Sequence, residues 1–131
     1  MLNSVVYSEN APEPIGPYSH AVMAGAHISI SGTAGVDPET SELAGPDVYS
    51  QTRQVLRNLA AILRAANATF DDVVHVQVNL LNMTDFPEMN RAYAEVFSEP
   101  YPARTVIGVA ALPKPGALLT VNAVAVRSAT G

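Results

Sequence analysis

Pro102-Ala103-Arg104-Thr105-Val106-Ile107-Gly108-Val109 decides how the chain is read. Thr, Val and Ile suit a pleated, packed surface, so the run is expected to be a largely buried strand starting straight after Pro100 and Pro102. Arginine is rarely buried without a partner. A guanidinium at the mouth of an apolar strand therefore needs an anion, either a carboxylate such as Glu95 or Glu99 or a ligand in a pocket.

Immediately upstream, residues 85–98 carry a helical stripe of Phe86, Met89, Tyr93, Val96 and Phe97. Asp85 with Glu88 three residues on resembles a capping box, and Pro100 and Pro102 forbid continuation. Before that helix, residues 73–81 alternate as a strand, with Val74, Val76, Val78 and Leu80 on one face and His75, Gln77 and Asn79 on the other. A longer helix over 46–66 has Val48, Thr52, Val55, Leu56, Leu59, Ile62, Leu63 and Ala66 on one stripe. Pro46 suits its first position, Asp47 its N-terminal dipole, and Asn67 a left-handed close. Arg53, Arg57 and Arg64 lie off the stripe, on a solvated face.

Towards the N-terminus, Val5, Val6 and Tyr7 form a short strand before the proline-rich segment 8–14. Residues 20–24 and 27–32 read as a hairpin about Gly25-Ala26, ended by Gly32-Thr33-Ala34-Gly35. After the arginine strand, Pro113-Lys114-Pro115-Gly116 turns the chain into a last strand over 117–127, with Leu119, Val121, Ala123 and Ala125 facing one way. The order β-β-β-α-β-α-β-β describes an α+β fold, residues 1–131 forming a single domain with both helices on one face of a sheet. The other face, carrying His75, Gln77 and Asn79, is fit to meet copies of itself around a symmetry axis.

Composition narrows the function. Hydrophobic residues make up 48% and charged residues only 15%, which suggests a surface partly hidden in a homo-oligomer. The net charge is −5 and Lys114 is the sole lysine, so the basic field a nucleic-acid binder needs is missing. There is no cysteine, which removes disulfides, thiolate nucleophiles and cysteine metal sites. No signal-peptide pattern or membrane-length apolar run is present, so a cytoplasmic protein without membrane association is expected.

The usual catalytic motifs fail in turn. His20, His27 and His75 lack ligand spacing and read as three ordinary histidines, so no metal is expected. Ser31, His75 and Asp37 have no nucleophile elbow around them. Gly16-Pro17 lacks the amide donor a phosphate cradle requires, and Gly32-Thr33-Ala34-Gly35 precedes a turn instead of a helix. What remains is a polar set of Tyr18, Ser31, Asn90, Arg104 and Asn122. Each, taken singly, has an ordinary structural explanation. Asn122 is the odd member, an amide interrupting the apolar run from Val121 to Val126.

Taken together, these positions carry a likeness. Ile15-Gly16-Pro17-Tyr18-Ser19, Ile30-Ser31-Gly32, Gln51-Thr52-Arg53-Gln54-Val55-Leu56 with Asn58-Leu59, Asn90-Arg91-Ala92-Tyr93 and Tyr101-Pro102-Ala103-Arg104-Thr105 resemble the reactive intermediate deaminase family (Rid, or YjgF), in order, from about residue 5 to residue 127. The resemblance implies a chorismate-mutase-like fold, a single mixed sheet backed by two helices, and a homotrimer with a central barrel and a ligand cleft between each pair of subunits. It implies cofactor-independent hydrolysis of enamines and imines, such as 2-aminoacrylate and 2-imino acids, to 2-keto acids and ammonia. Arg104 would grip the substrate carboxylate, Tyr18 and Asn122 would order substrate and water, and Ser31, Gly32 and Asn90 would shape the cleft.

There are two departures. Imine-hydrolysing members carry a glutamate where this chain has Asn122, and a cysteine where it has Val106. An amide orients water but is no base near neutral pH. Two alternatives follow: a non-catalytic trimer binding a small carboxylate, or a pathway-specific deaminase acting on 3-aminoacrylate or 2-aminomuconate. Ser31-Gly32-Thr33 and Lys114-Pro115-x-Ala117-Leu118 are similar to aminoacrylate deaminases of pyrimidine catabolism.

Overall fold

The computed structural model describes residues 3–128. Six strands form one mixed sheet in the order β1-β2-β3-β6-β4-β5. They are β1 (Ser4–Val6), β2 (Ala21–Ala24), β3 (His27–Ala34), β4 (Val73–Leu80), β5 (Ala103–Gly108) and β6 (Leu119–Val126). Helices α1 (Val48–Ala65) and α2 (Phe86–Tyr93) cover one face. All neighbouring strands run antiparallel except β4 and β5, which are parallel and joined through α2.

Alternation in the central strands decides which face is covered. Val76, Val78 and Leu80 of β4 and Leu119, Val121, Ala123 and Ala125 of β6 are buried against Val55, Leu56, Leu59, Ile62 and Leu63 of α1. Their neighbours His75, Gln77, Asn79, Thr120 and Asn122 lie on the open face. There Gln77 Nε2 donates to Asn79 Oδ1 at 2.9 Å, and Asn79 Nδ2 donates to Thr120 Oγ1 at 3.1 Å and Asn122 Oδ1 at 3.2 Å.

Several expectations are corrected. Val74 is not on the buried face. A register shift between Val73 and His75 inserts one residue opposite β6, and Val74 turns outward, 48% exposed. Strand β3 does not end at Gly32 but passes through an irregularity between Ile30 and Thr33 and continues to Ala34. Strand β5 is not buried: as an edge strand with β4 on one side only, it leaves most of its residues exposed. Pro46 lies outside α1, since Asp47 is the N-cap and accepts from Ser50 N at 2.9 Å. Those bonds from Ser50 hold the Asp47 carboxyl below its ordinary range. Asp85 makes no capping bond, because it closes a 3-10 turn over Met83–Asp85, and α2 is shorter than expected. Asn67 does adopt the left-handed conformation, φ 58°.

Buried polar groups on α1 fix the loops. Gln51, fully buried, donates to the carbonyls of Gly45 and Gly116 and accepts from Leu118 N. Asn58 donates to the carbonyls of Ala34 and Val36. Gly35 passes so close to α1 that a Cβ there would sit 2.6 Å from the Gln51 carbonyl oxygen. Gly35→Ala is therefore expected to destabilise the fold by about 1–3 kcal/mol, through forced separation of the loop from α1, as read by denaturant unfolding at fixed protein concentration.

Candidate functional site

Arg104 points to the helix-covered side of the sheet. Its register partner on β4 is the fully buried Val76, and Val106, two residues on, packs against the core. At the sheet edge the guanidinium reaches α2. Nη1 donates to Asn90 Oδ1 at 2.8 Å, and Cζ lies 4.7 Å from the Tyr93 ring centroid and 5.6 Å from that of Phe86. Neither carboxylate named from the sequence pairs with it. Glu95 engages Arg53 at 3.6 Å and the Tyr49 hydroxyl instead. Among the described residues, Arg104 has no ion pair. Asn90, Tyr93, Ala94, Tyr101, Pro102 and Arg104 line an open cleft of about 340 Å³.

Tyr93 is buried, and its hydroxyl has no hydrogen-bond partner among the described residues. Burial pushes its phenol up from the ordinary value, against the opposing pull of the Arg104 charge.

A second cluster forms at the β3 irregularity. Ile30 pairs with Ala123 and Thr33 with Val121, so Ser31 and Gly32 lie opposite Asn122. Ser31 Oγ donates to Ser19 O at 2.6 Å and Ser31 N donates to His20 O, which brings the Gly16-Pro17-Tyr18 turn alongside. Tyr18 is half-exposed, and its phenolic oxygen accepts from Ile15 N at 3.3 Å, leaving its own proton to donate. Tyr18, Ser31 and Gly32, with Ile15, Lys114 and Thr120, line a hollow of about 370 Å³. A Cβ on Gly32 would meet nothing within 4 Å, so its backbone is open to an incoming molecule. His20, buried, pins the approaching segment: Nδ1 accepts from Ser8 N and Nε2 donates to Pro12 O. That pairing makes it a structural histidine.

The polar set named from sequence therefore falls into two groups within one chain. Arg104 and Asn90 occupy the helix side of the β5 edge. Tyr18, Ser31, Gly32 and Asn122 gather about β3 and β6, with Asn122 on the open face. Two strands intervene between β3 and β5, a separation of about 14 Å at the usual interstrand spacing. The sequence reading missed Phe86, Tyr93 and Tyr101 in the first group, taking the first two as core, and Lys114 and Thr120 in the second. Residues 86, 90 and 93 recur at i, i+4 and i+7, so Asn90 shares a helix face with both rings; that spacing was the available signal.

Comparison with known proteins gives the family and the fold. The family model described as Endoribonuclease L-PSP matches residues 8–127. The chain belongs to the Rid/YjgF family. A RutC family protein of Pyrococcus horikoshii is 46% identical over 126 residues, covering 96% of this chain and 99% of the relative. The human 2-iminobutanoate/2-iminopropanoate deaminase is 39% identical over 127 residues, covering 97% of this chain and 92% of the relative. Among solved structures, RidA of the Antarctic bacterium Psychrobacter sp. superposes with a TM-score of 0.90 at 39% identity, covering 94% of this chain and 98% of that one. In this Rid-family chain the unpartnered Tyr93 hydroxyl adds nothing to folding. Tyr93→Phe is expected to leave stability unchanged or raise it by up to about 1 kcal/mol, measured by denaturant unfolding.

Proposed function

We propose that this chain is a cofactor-independent deaminase that hydrolyses small 2-imino acids and their enamine tautomers to 2-keto acids and ammonia. The observation that carries the reading is Arg104, a permanently charged fork held by Asn90 in an open cleft with no carboxylate against it among the described residues. A guanidinium matches a carboxylate with parallel donors, and one N–H of its five is engaged by Asn90. The relatives named as imine deaminases, near 40% identical, support the same chemistry.

The working site is a cleft shared between subunits of a homotrimer, in which the Arg104 group of one copy meets the Tyr18, Ser31, Gly32 and Asn122 group of the next. Three features support assembly: the separation of the two groups within one chain, the exposed β5 edge, and the half-polar open face. In the shared cleft Arg104 holds the carboxylate. Water adds to the C=N carbon as a proton reaches nitrogen, with the Tyr18 hydroxyl as a hydrogen-bond donor. The carbinolamine then loses ammonia: its hydroxyl proton passes to nitrogen, the C–N bond breaks and the C=O bond forms. An enamine first takes a proton at carbon and gives one up from nitrogen to become the imine. Since imines hydrolyse unaided in water, placing the reactants supplies much of the acceleration.

Asn122 sets the limit on rate. Its oxygen accepts from Asn79, so the group it turns outward is its amino group, a donor that orients water but removes no proton. The second reading, a trimer that binds a small keto acid without turnover, is favoured by this one residue. An amino-acid oxidase supplying imines, with ammonia release followed, separates the two. The wild-type chain is expected to accelerate release and Arg104→Ala to fall to the uncatalysed rate; an alanine variant with wild-type activity overturns the mechanism. Asn122→Glu is expected to raise kcat by at least about tenfold by restoring a base, as read in the same assay.

A further inference from the structure

Arg104 does not stand on Asn90 alone. It ends a column of rings rooted in the core. Phe70 meets Phe97 edge-on with centroids 5.0 Å apart, Phe97 stacks on Tyr93 at 4.5 Å, and the Arg104 guanidinium carbon lies 4.7 Å from the Tyr93 centroid. Phe97 and Tyr93 are both more than nine-tenths buried, so the ring beneath the cation has little freedom to move. Phe86 stands 5.6 Å away, one turn before Asn90 on the same face of α2. This stretch of α2 thus contributes one acceptor and two ring contacts to a single guanidinium.

The need for such a support follows from where the arginine sits. Strand β5 is an exposed edge, and a long side chain there samples many rotamers unless something restrains it. One hydrogen bond from Nη1 fixes a single point of the fork. A ring against the guanidinium, attracted through its quadrupole, also restricts the tilt of the plane, and pre-ordering a binding group removes part of the cost of capturing the ligand.

We infer that Tyr93 is a positioning residue for carboxylate capture: its ring holds the Arg104 guanidinium in the orientation that receives the substrate acid, while its hydroxyl has no part in the reaction. The inference rests on the deaminase reading only for its kinetic consequence. The hydroxyl has no partner among the described residues, so the ring is what should matter. Because the support acts on binding and not on the bonds being made, its loss should appear in KM.

The test compares Tyr93→Leu, which removes the π face, with Tyr93→Phe, which keeps it. With iminopropanoate, Tyr93→Leu is expected to raise KM roughly tenfold with kcat within about threefold of wild type, and Tyr93→Phe to keep KM within about threefold. The second measurement needs no turnover: the Arg104 Nε–H resonance in a ¹⁵N spectrum, followed during titration with pyruvate. A sharp resonance that shifts on titration is expected for wild type and Tyr93→Phe, and a broadened, exchange-averaged one for Tyr93→Leu. Thermal melting and assembly mass verify that each variant is folded. If Tyr93→Leu does not fold, Phe86→Leu, expected to raise KM about threefold, weakens the same support from its exposed side. A folded Tyr93→Leu protein with wild-type KM and an unaltered Nε–H resonance overturns the inference. Wild-type protein that takes up pyruvate at Arg104 but turns over no imine overturns the deaminase reading and leaves the positioning role standing.

Discussion

The structure is built around a cation held by neutral partners. Arg104 is exposed at the sheet edge, where a carboxylate within reach would close its charge to a ligand. Here an amide oxygen and two aromatic rings order Arg104 without neutralising it. Glu95, near enough in sequence to compete, is engaged by Arg53 and Tyr49. The position of α2 beside the β5 edge leaves that charge ordered and available, and the proposed chemistry depends on it.

The rest of the fold supplies rigidity where the second group of polar residues gathers. Gln51 and Asn58 are polar residues on the buried side of α1, and every bond they make to the backbone goes to a loop or strand end near β3 or β6. An unsatisfied amide there would be costly, so the loops are held to one geometry by the need to complete these bonds. The Ser31-Gly32 irregularity in β3 lies beside this frame, as strand irregularities near ligand sites often do, and turns a serine and an open backbone toward the hollow.

Element order was legible from the switch between a two-residue and a 3.6-residue period, and the helix-side residues of β6 emerged with the parity the alternation assigned. Val74 did not, because alternation carries only parity and one inserted residue reverses it without leaving a mark in the composition. The exposure of β5 was hidden for a different reason: Val, Ile and Thr report that a strand is fit for packing, not which surface packs on it. The candidate residues could be named from motifs, but their division could not. It arises from strand order, in which β6 and β4 come between β3 and β5 although β6 is last in the chain. Tyr93 was indistinguishable from core by periodicity, and it is core on one side and a support for Arg104 on the other.

The row of amides on the open face has a direction. Gln77 gives to Asn79 and Asn79 gives to Asn122, so their dipoles run head to tail across β4 and β6. Turning Asn122 over would set amino group against amino group, and relieving that clash would require Asn79 and then Gln77 to turn as well. In this arrangement the last member of the row has its hydrogens outward, and reversing it takes all three amides together. Any molecule that settles against it is selected for a lone pair, which a water or a carbonyl oxygen has and an ammonium ion lacks.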